Sequence, residues 1–266
     1  MIMTLSDAAA AVLNAADPAK KIRLTYRYAA AWRDGAIAEH GATLPPDRPA
    51  RPEKPEVLWP RDMPKRRRGG SEANRVALLH ALAHIELNAI DLAWDAVARF
   101  GAAMPKGFSD DWVQVADDEA RHFEMLEARM AVYGKEYGDL PAHDGLWQAA
   151  LETRHDVAAR LAVVPMVLEA RGLDVTPAMW ESLRKVGDPE SAAAIEVIHA
   201  EEITHVAAGH RWFAHACRER GQDPVVTWQA LVRRHFKGQL KRPFNAVSRG
   251  KAGLTPDFYE PLADER

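Results

Sequence analysis

Apolar residues recur at three- and four-residue spacing along most of the chain, the period that lines one face of an α-helix. Ala/Leu-rich stretches carry this pattern over roughly 72–101, 110–133, 146–172 and 189–220, which predicts four long helices. Two helices precede them, and shorter ones cover about 177–186 and 224–238. Local punctuation supports these limits. Asp17-Pro18, Thr176-Pro177, Asp188-Pro189 and Asp223-Pro224 each join a capping side chain to a proline suited to the first helical position. Ser71 and Ser109 are further cap candidates, and Gly134, Gly172, Gly187 and Gly221 fall where helices should stop. Runs such as Ala162-Val163-Val164 sit inside helical patterns rather than alternating ones. Long helices with short links predict an all-α bundle.

Two segments break the period. Seven of the 17 prolines lie between Pro45 and Pro64, and Lys65-Arg66-Arg67-Arg68-Gly69-Gly70 follows. Residues 35–70 therefore read as an extended arm that wraps the bundle rather than a helix. The stretch 239–266 reads as an irregular tail. The whole chain, 1–266, is read as one domain: arm 35–70, bundle 72–220, and C-terminal helix with tail 224–266.

Composition narrows the class. With 47% hydrophobic and 27% charged residues among 266, the chain has the makeup of a folded globule. Charge is nearly balanced, 35 Lys+Arg against 38 Asp+Glu, so no global field recruits nucleic acid or anionic lipid. The single cysteine, Cys217, excludes an internal disulfide framework and thiolate-rich zinc sites. No 18-residue apolar run is read in the chain, so no bilayer span is expected, and the N-terminal stretch reads as a helix rather than a leader. The expectation is a soluble cytoplasmic protein without a membrane span.

Candidate chemistry lies in Glu and His spacing. Four Glu-x-x-His patterns occur, at Glu119/His122, Glu152/His155, Glu196/His199 and Glu202/His205. Taken singly, each is weak. Glu86, however, precedes Glu119 by 33 positions, and Glu169 precedes Glu202 by 33. One shift of 83 positions maps Glu86, Glu119 and His122 onto Glu169, Glu202 and His205, and Asp91 onto Asp174. The chain thus carries two copies of a helix pair. A rival grouping of Glu119 with Glu152/His155 sets Glu152 and Glu169 on one continuous predicted helix and has no second copy.

In a helix, residues i and i+3 lie about 60° apart, so a Glu and His so spaced reach one metal ion. Four carboxylates in an apolar bundle repel and are costly to desolvate, and divalent cations cancel that charge. Four carboxylates and two imidazoles from four helices form the dinuclear carboxylate pattern of ferritin-like bundles. Two iron ions, or manganese or a mixed Mn/Fe pair, suit these donors. Glu86 and Glu169 are single acids within apolar turns, as inward-facing ligands should be. Asp91 and Asp174 are candidate hydrogen-bond partners of the ligand histidines, or structural caps or surface groups. His199 is a candidate neighbour of the site or a packed or surface residue, His155 a surface or channel residue, and His80 and His84 structural.

These residues carry a resemblance. Glu86, Glu119-Ala-Arg-His122, Glu169 and Glu202-Ile-Thr-His205 resemble the ferritin-like superfamily. With Lys241-Arg242-Pro243-Phe244-Asn245, Ala252-Gly253-Leu254 and Phe258-Tyr259, the chain looks like a bacterial branch of it, domain of unknown function 455, over about residues 5–262. More distantly it is similar to a ferritin-like tRNA hydroxylase. The resemblance implies a dinuclear metal site and names no settled substrate.

The favoured expectation is an O2-dependent oxidoreductase acting on a small molecule or RNA, with an unknown electron donor. The arm and tail would cover its site. Iron storage, manganese catalase-like peroxide dismutation and RNA modification are the alternatives. The last draws on Lys65–Arg68 and on nine Lys/Arg within 218–251. The helix predicted at 224–238 is a candidate homodimer face.

Overall fold

A computed structural model describes residues 3–58, 62–63 and 70–263. The chain is helical almost throughout and divides into two compact units, Met1–Trp147 and Gln148–Arg266.

In the first unit, α1 (Leu5–Leu13) starts at a Thr4/Asp7 capping box and α2 (Pro18–Arg33) at Asp17, whose carboxylate accepts from Lys20 N. Ser71 caps α3 (Glu72–Phe100). A 3₁₀ turn, Gly101–Ala103, then leads into α4 (Lys106–Val132). Helices α3 and α4 form the main hairpin, with α1 packed on α3 and α2 on α4. Trp94, Leu79, Phe108 and Phe123 are buried in this core, and Trp94 Nε1 donates to Thr25 Oγ1. Ser109 is buried inside α4, which starts four residues earlier than its predicted cap implies.

Through residue 58 the Pro-rich arm has almost no regular structure, as its composition predicts, and it is tied down along its length. Leu5 N donates to Glu39 O, Ala50 N to Leu13 O, and Trp147 Nε1 to Asp47 O. β1 (Val57–Leu58) pairs in parallel with β2 (Ala142–His143). Lys65–Arg68 lie outside the described residues.

The second unit departs from the predicted 146–172 helix. The chain forms α5 (Gly145–Glu152), breaks, and restarts at Asp156, which caps α6 (Val157–Val163). Inside the break, the buried Arg160 side chain donates to Ala150 O and Thr153 Oγ1, satisfying groups that a continuous helix would have paired. α6 passes through a π segment, Val164–Glu169, into α7 (Ala170–Lys185). α7 runs through Gly172 and Thr176-Pro177, where an end and a start were expected. Pro177 cannot bond the carbonyl four residues back, and that carbonyl, Leu173 O, accepts from Asn245 Nδ2 instead. A tertiary contact replaces the lost helical bond, which no local pattern reveals.

Asp188 and Asp223 cap α8 (Pro189–Glu219) and α9 (Pro224–His235) as predicted. α7 and α8 form this unit's main hairpin, with α6 and the π segment also against α8. The tail is more ordered than expected: it contains α10 (Ala246–Lys251), capped by Asn245, and α11 (Pro256–Tyr259). Arg249, Phe258 and Tyr259 are buried there.

Contrary to the expectation that no such stretch exists, Glu72–Ala103 is long and apolar enough to cross a membrane by length and composition. It is the central helix of its unit, packed on α4 and α1, and its buried face includes His80, His84, Glu86, Asp91 and Asp95.

Candidate metal centre

The α3–α4 hairpin delivers the first predicted trio. Glu86 lies midway along α3, and Glu119 and His122 lie three residues apart on α4. His122 Nδ1 stands 3.1 Å from Glu119 Oε2 and 3.9 Å from Glu86 Oε2. One donor atom from each residue lies within 4.8 Å of the others. Donors sharing an ion at about 2.0–2.2 Å stand roughly 3–4 Å apart, so small side-chain adjustments suffice for chelation. All three residues are buried.

The electrostatics match this crowding. Burial, with the Glu119 charge beside it, pushes the Glu86 carboxyl well above the usual range, although His122 opposes the shift. Burial disfavours a charged His122, but its hydrogen bond to Glu119 and the nearby Glu86 carboxylate outweigh that cost and push it up to about 11. Two buried carboxylates beside one histidine thus favour positive charge among them, which a divalent cation would supply. The donor set therefore fits a divalent ion.

The α7–α8 hairpin carries the second trio in the second unit. Glu202 and His205 lie on α8, with His205 Nδ1 3.6 Å from Glu202 Oε1. His205 is buried and Glu202 largely so. Glu169 ends the π segment, which packs against α8. Single π turns inside α-helices recur at functional sites, because the extra residue shifts the register of the next helical turns. In both trios the histidine turns Nδ1 toward the Glu three residues before it.

Among the described residues, the other Glu-x-x-His patterns form no such cluster. Glu152 pairs with Lys237 at 2.6 Å and Glu196 with Arg184 at 2.5 Å. His155 is exposed, its ring 5.5 Å from that of His235, and the break after α5 removes it from the helix of Glu169. His199 Nδ1 lies 2.7 Å from Thr176 Oγ1 and its Nε2 3.1 Å from Ser248 Oγ, a tie between α7, α8 and α10. His84 is structural as expected: Nδ1 meets Tyr137 OH at 2.7 Å, and burial holds its pKa down at about 4.

Asp91 and Asp174 are not surface groups; both carboxylates are fully buried and bind cations rather than the ligand histidines. Lys21 Nζ reaches Asp91 Oδ1 at 2.6 Å and Arg51 pairs with Oδ2. Arg249 grips Asp174 through Nε and Nη2, both at 2.8 Å. Neither Lys21 nor Arg249 stands out in the sequence, because each sits beside other basic residues and nothing local marks it as the buried one.

The basic C-terminal span is partly neutralised. Of its nine cations, Arg220, Lys237, Arg242 and Arg249 are ion-paired with Asp156, Glu152, Glu260 and Asp174.

Fold and site together define an all-helical protein with a buried carboxylate–histidine cluster able to bind a metal ion. Residues 14–260 match the family described as protein of unknown function (DUF455), and the chain belongs to that family. It is 39% identical over 210 residues to a Haemophilus influenzae (strain Rd) protein described as uncharacterized, a match spanning 77% of this chain and 73% of that one. No solved structure matches.

Proposed function

We propose that the two trios combine into one dinuclear metal centre, Glu86, Glu119, His122, Glu169, Glu202 and His205, in a ferritin-like four-helix bundle. On this reading the protein is an O2-dependent oxidoreductase of the hydroxylase type. The supporting observation is the 83-position repeat, whose two copies each fold with the segment of a lone Glu packed on the helix of a Glu-x-x-His pair.

Two iron ions fit this oxygen-rich donor set with two imidazoles, and manganese or a mixed pair is the alternative. When bound, such ions supply the redox chemistry of O2 activation. The chain's own residues do the rest. Four carboxylates balance the positive charge, and each histidine presents Nδ1 beside the Glu three residues before it. Buried neighbours such as Phe123 and Leu87 keep water from the first trio's helices. The substrate is a small molecule or RNA, and an electron donor is required. Ion pairing of four of the nine C-terminal cations weakens the case for a phosphate-binding face, so the small-molecule reading stands first.

The test is anaerobic Fe(II) loading followed by O2 exposure, watched by stopped-flow absorption. A transient visible band, with turnover when a substrate-containing extract is added, is expected. Iron uptake into large particles without such a band would favour storage. Oxygen release from hydrogen peroxide by the manganese form would favour the catalase-like alternative.

A further inference from the structure

We propose that the buried pairs Lys21–Asp91 and Arg249–Asp174 are positioning devices for the metal centre, each fixing the rotation of the helix that carries a lone Glu ligand. The inference rests on the dinuclear reading above.

Asp91 follows Glu86 by five residues, and Asp174 follows Glu169 by five. Five residues turn a helix by about 140°, so each aspartate faces away from its ligand side and is held from behind. In the first unit, Lys21 on α2 meets Asp91 Oδ1 at 2.6 Å and Val12 O at 3.0 Å, while Arg51 of the arm takes Oδ2 and Asn88 Oδ1. In the second, Arg249 on α10 forms a two-point fork with Asp174, whose Oδ1 also accepts from Asn245 N at 2.9 Å. Side-chain exposure is 1% and 0% for the first pair and 2% and 0% for the second.

Two arguments favour positioning over bulk stability. A buried ion pair is often no better for stability than apolar residues of the same volume, so stability alone does not call for two of them. And the cations are not inherited with the repeat. The 83-position shift carries Lys21 to Met104, and Arg249 shifts back to Met166. The same clamp is therefore built twice, from unrelated ends of the chain, on the one aspartate that the two copies share. The need it meets is geometric. Rotating a helix by about 10° moves a carboxylate roughly 6 Å from its axis by about 1 Å, while a productive site tolerates about 0.5 Å.

The experiment titrates the full-length protein with Co(II) anaerobically and reads both affinity and the d–d absorption band. The variants neutralise each pair together, Lys21→Met with Asp91→Asn and Arg249→Met with Asp174→Asn, so that no buried charge is left alone. Arg249→Lys keeps the charge and loses the fork. Lys237→Met with Glu152→Gln is the control, an ion pair remote in role.

Wild type and control are expected to bind Co(II) alike. The paired variants should stay helical by circular dichroism but bind about 10–100-fold more weakly with an altered band, and Arg249→Lys should fall between. Folded paired variants with wild-type affinity and band would overturn the proposal. If a paired variant unfolds, Arg249→Lys decides: a wild-type affinity and band there overturns it equally. Absence of Co(II) binding by wild type would instead overturn the metal-centre reading, and this inference with it.

Discussion

Gly209 of α8 faces Pro165 of the π segment so closely that a β-carbon on Gly209 would lie 2.5 Å from the proline Cβ and Cγ. Gly209 stands one turn beyond His205, and Pro165 stands four residues before Glu169. The absent side chain lets α8 approach the segment that ends at the lone Glu of the second trio. Glycine inside a helix costs about 1 kcal/mol relative to alanine, so propensity alone argues for alanine here. Packing argues against it, since neither a helix backbone nor a proline ring yields easily. Gly209→Ala should destabilise the protein by about 1–3 kcal/mol in denaturant unfolding and weaken metal uptake. A more stable Gly209→Ala variant would show that the contact relaxes without consequence.

The ligand assignment separates four glutamates of similar sequence context. Glu86→Ala and Glu169→Ala should each lower metal content well below that of Glu152→Ala or Glu196→Ala, whose carboxylates are engaged with Lys237 and Arg184. Metal analysis of the four purified variants reads this directly. Equal content in all four would refute the choice of Glu86 and Glu169.

Metal should also act on stability. Buried acids that repel one another, as Glu86 and Glu119 do, are relieved by a cation bound only to the folded chain. Free Fe(II) at 100 times its dissociation constant adds about 2.7 kcal/mol, which is several degrees in melting temperature for a chain of this size. Anaerobic melts with and without Fe(II) measure it, and coincident midpoints count against the site.

A pH effect arises from His210 on α8, which packs edge-on against Phe258 at 5.5 Å. Burial lowers its pKa in the folded protein below the ordinary value of about 6.5. As pH falls below that value the unfolded chain takes up the proton first, so folding stability is present above it and declines below. His210→Gln should flatten part of the decline in denaturant titrations between neutral and acid pH. An unchanged profile would assign the whole effect to other groups.

Most helix positions and the proximity of each Glu-x-x-His pair were legible because both rest on short-range periodicity. Asp17, Asp188 and Asp223 cap helices through contacts three residues long, and Glu119/His122 are neighbours on one helical face. The features that escaped the sequence depend on distant partners. The helix through Pro177 survives because Asn245, almost 70 residues later, takes the carbonyl the proline leaves. The break after Glu152 is held by Arg160, and the true partners of Asp91 and Asp174 come from the chain's two ends. A π turn has no periodic signature beyond a proline in a helical stretch, so the setting of Glu169 was also hidden.

The most direct measurement is the metal content of the full-length protein purified from iron-supplied cells and again after anaerobic reconstitution with Fe(II). Two ions per chain, lost together when either Glu119 or Glu202 is changed to Ala, is the predicted result. Fewer than one ion per chain even after reconstitution would contradict the dinuclear centre.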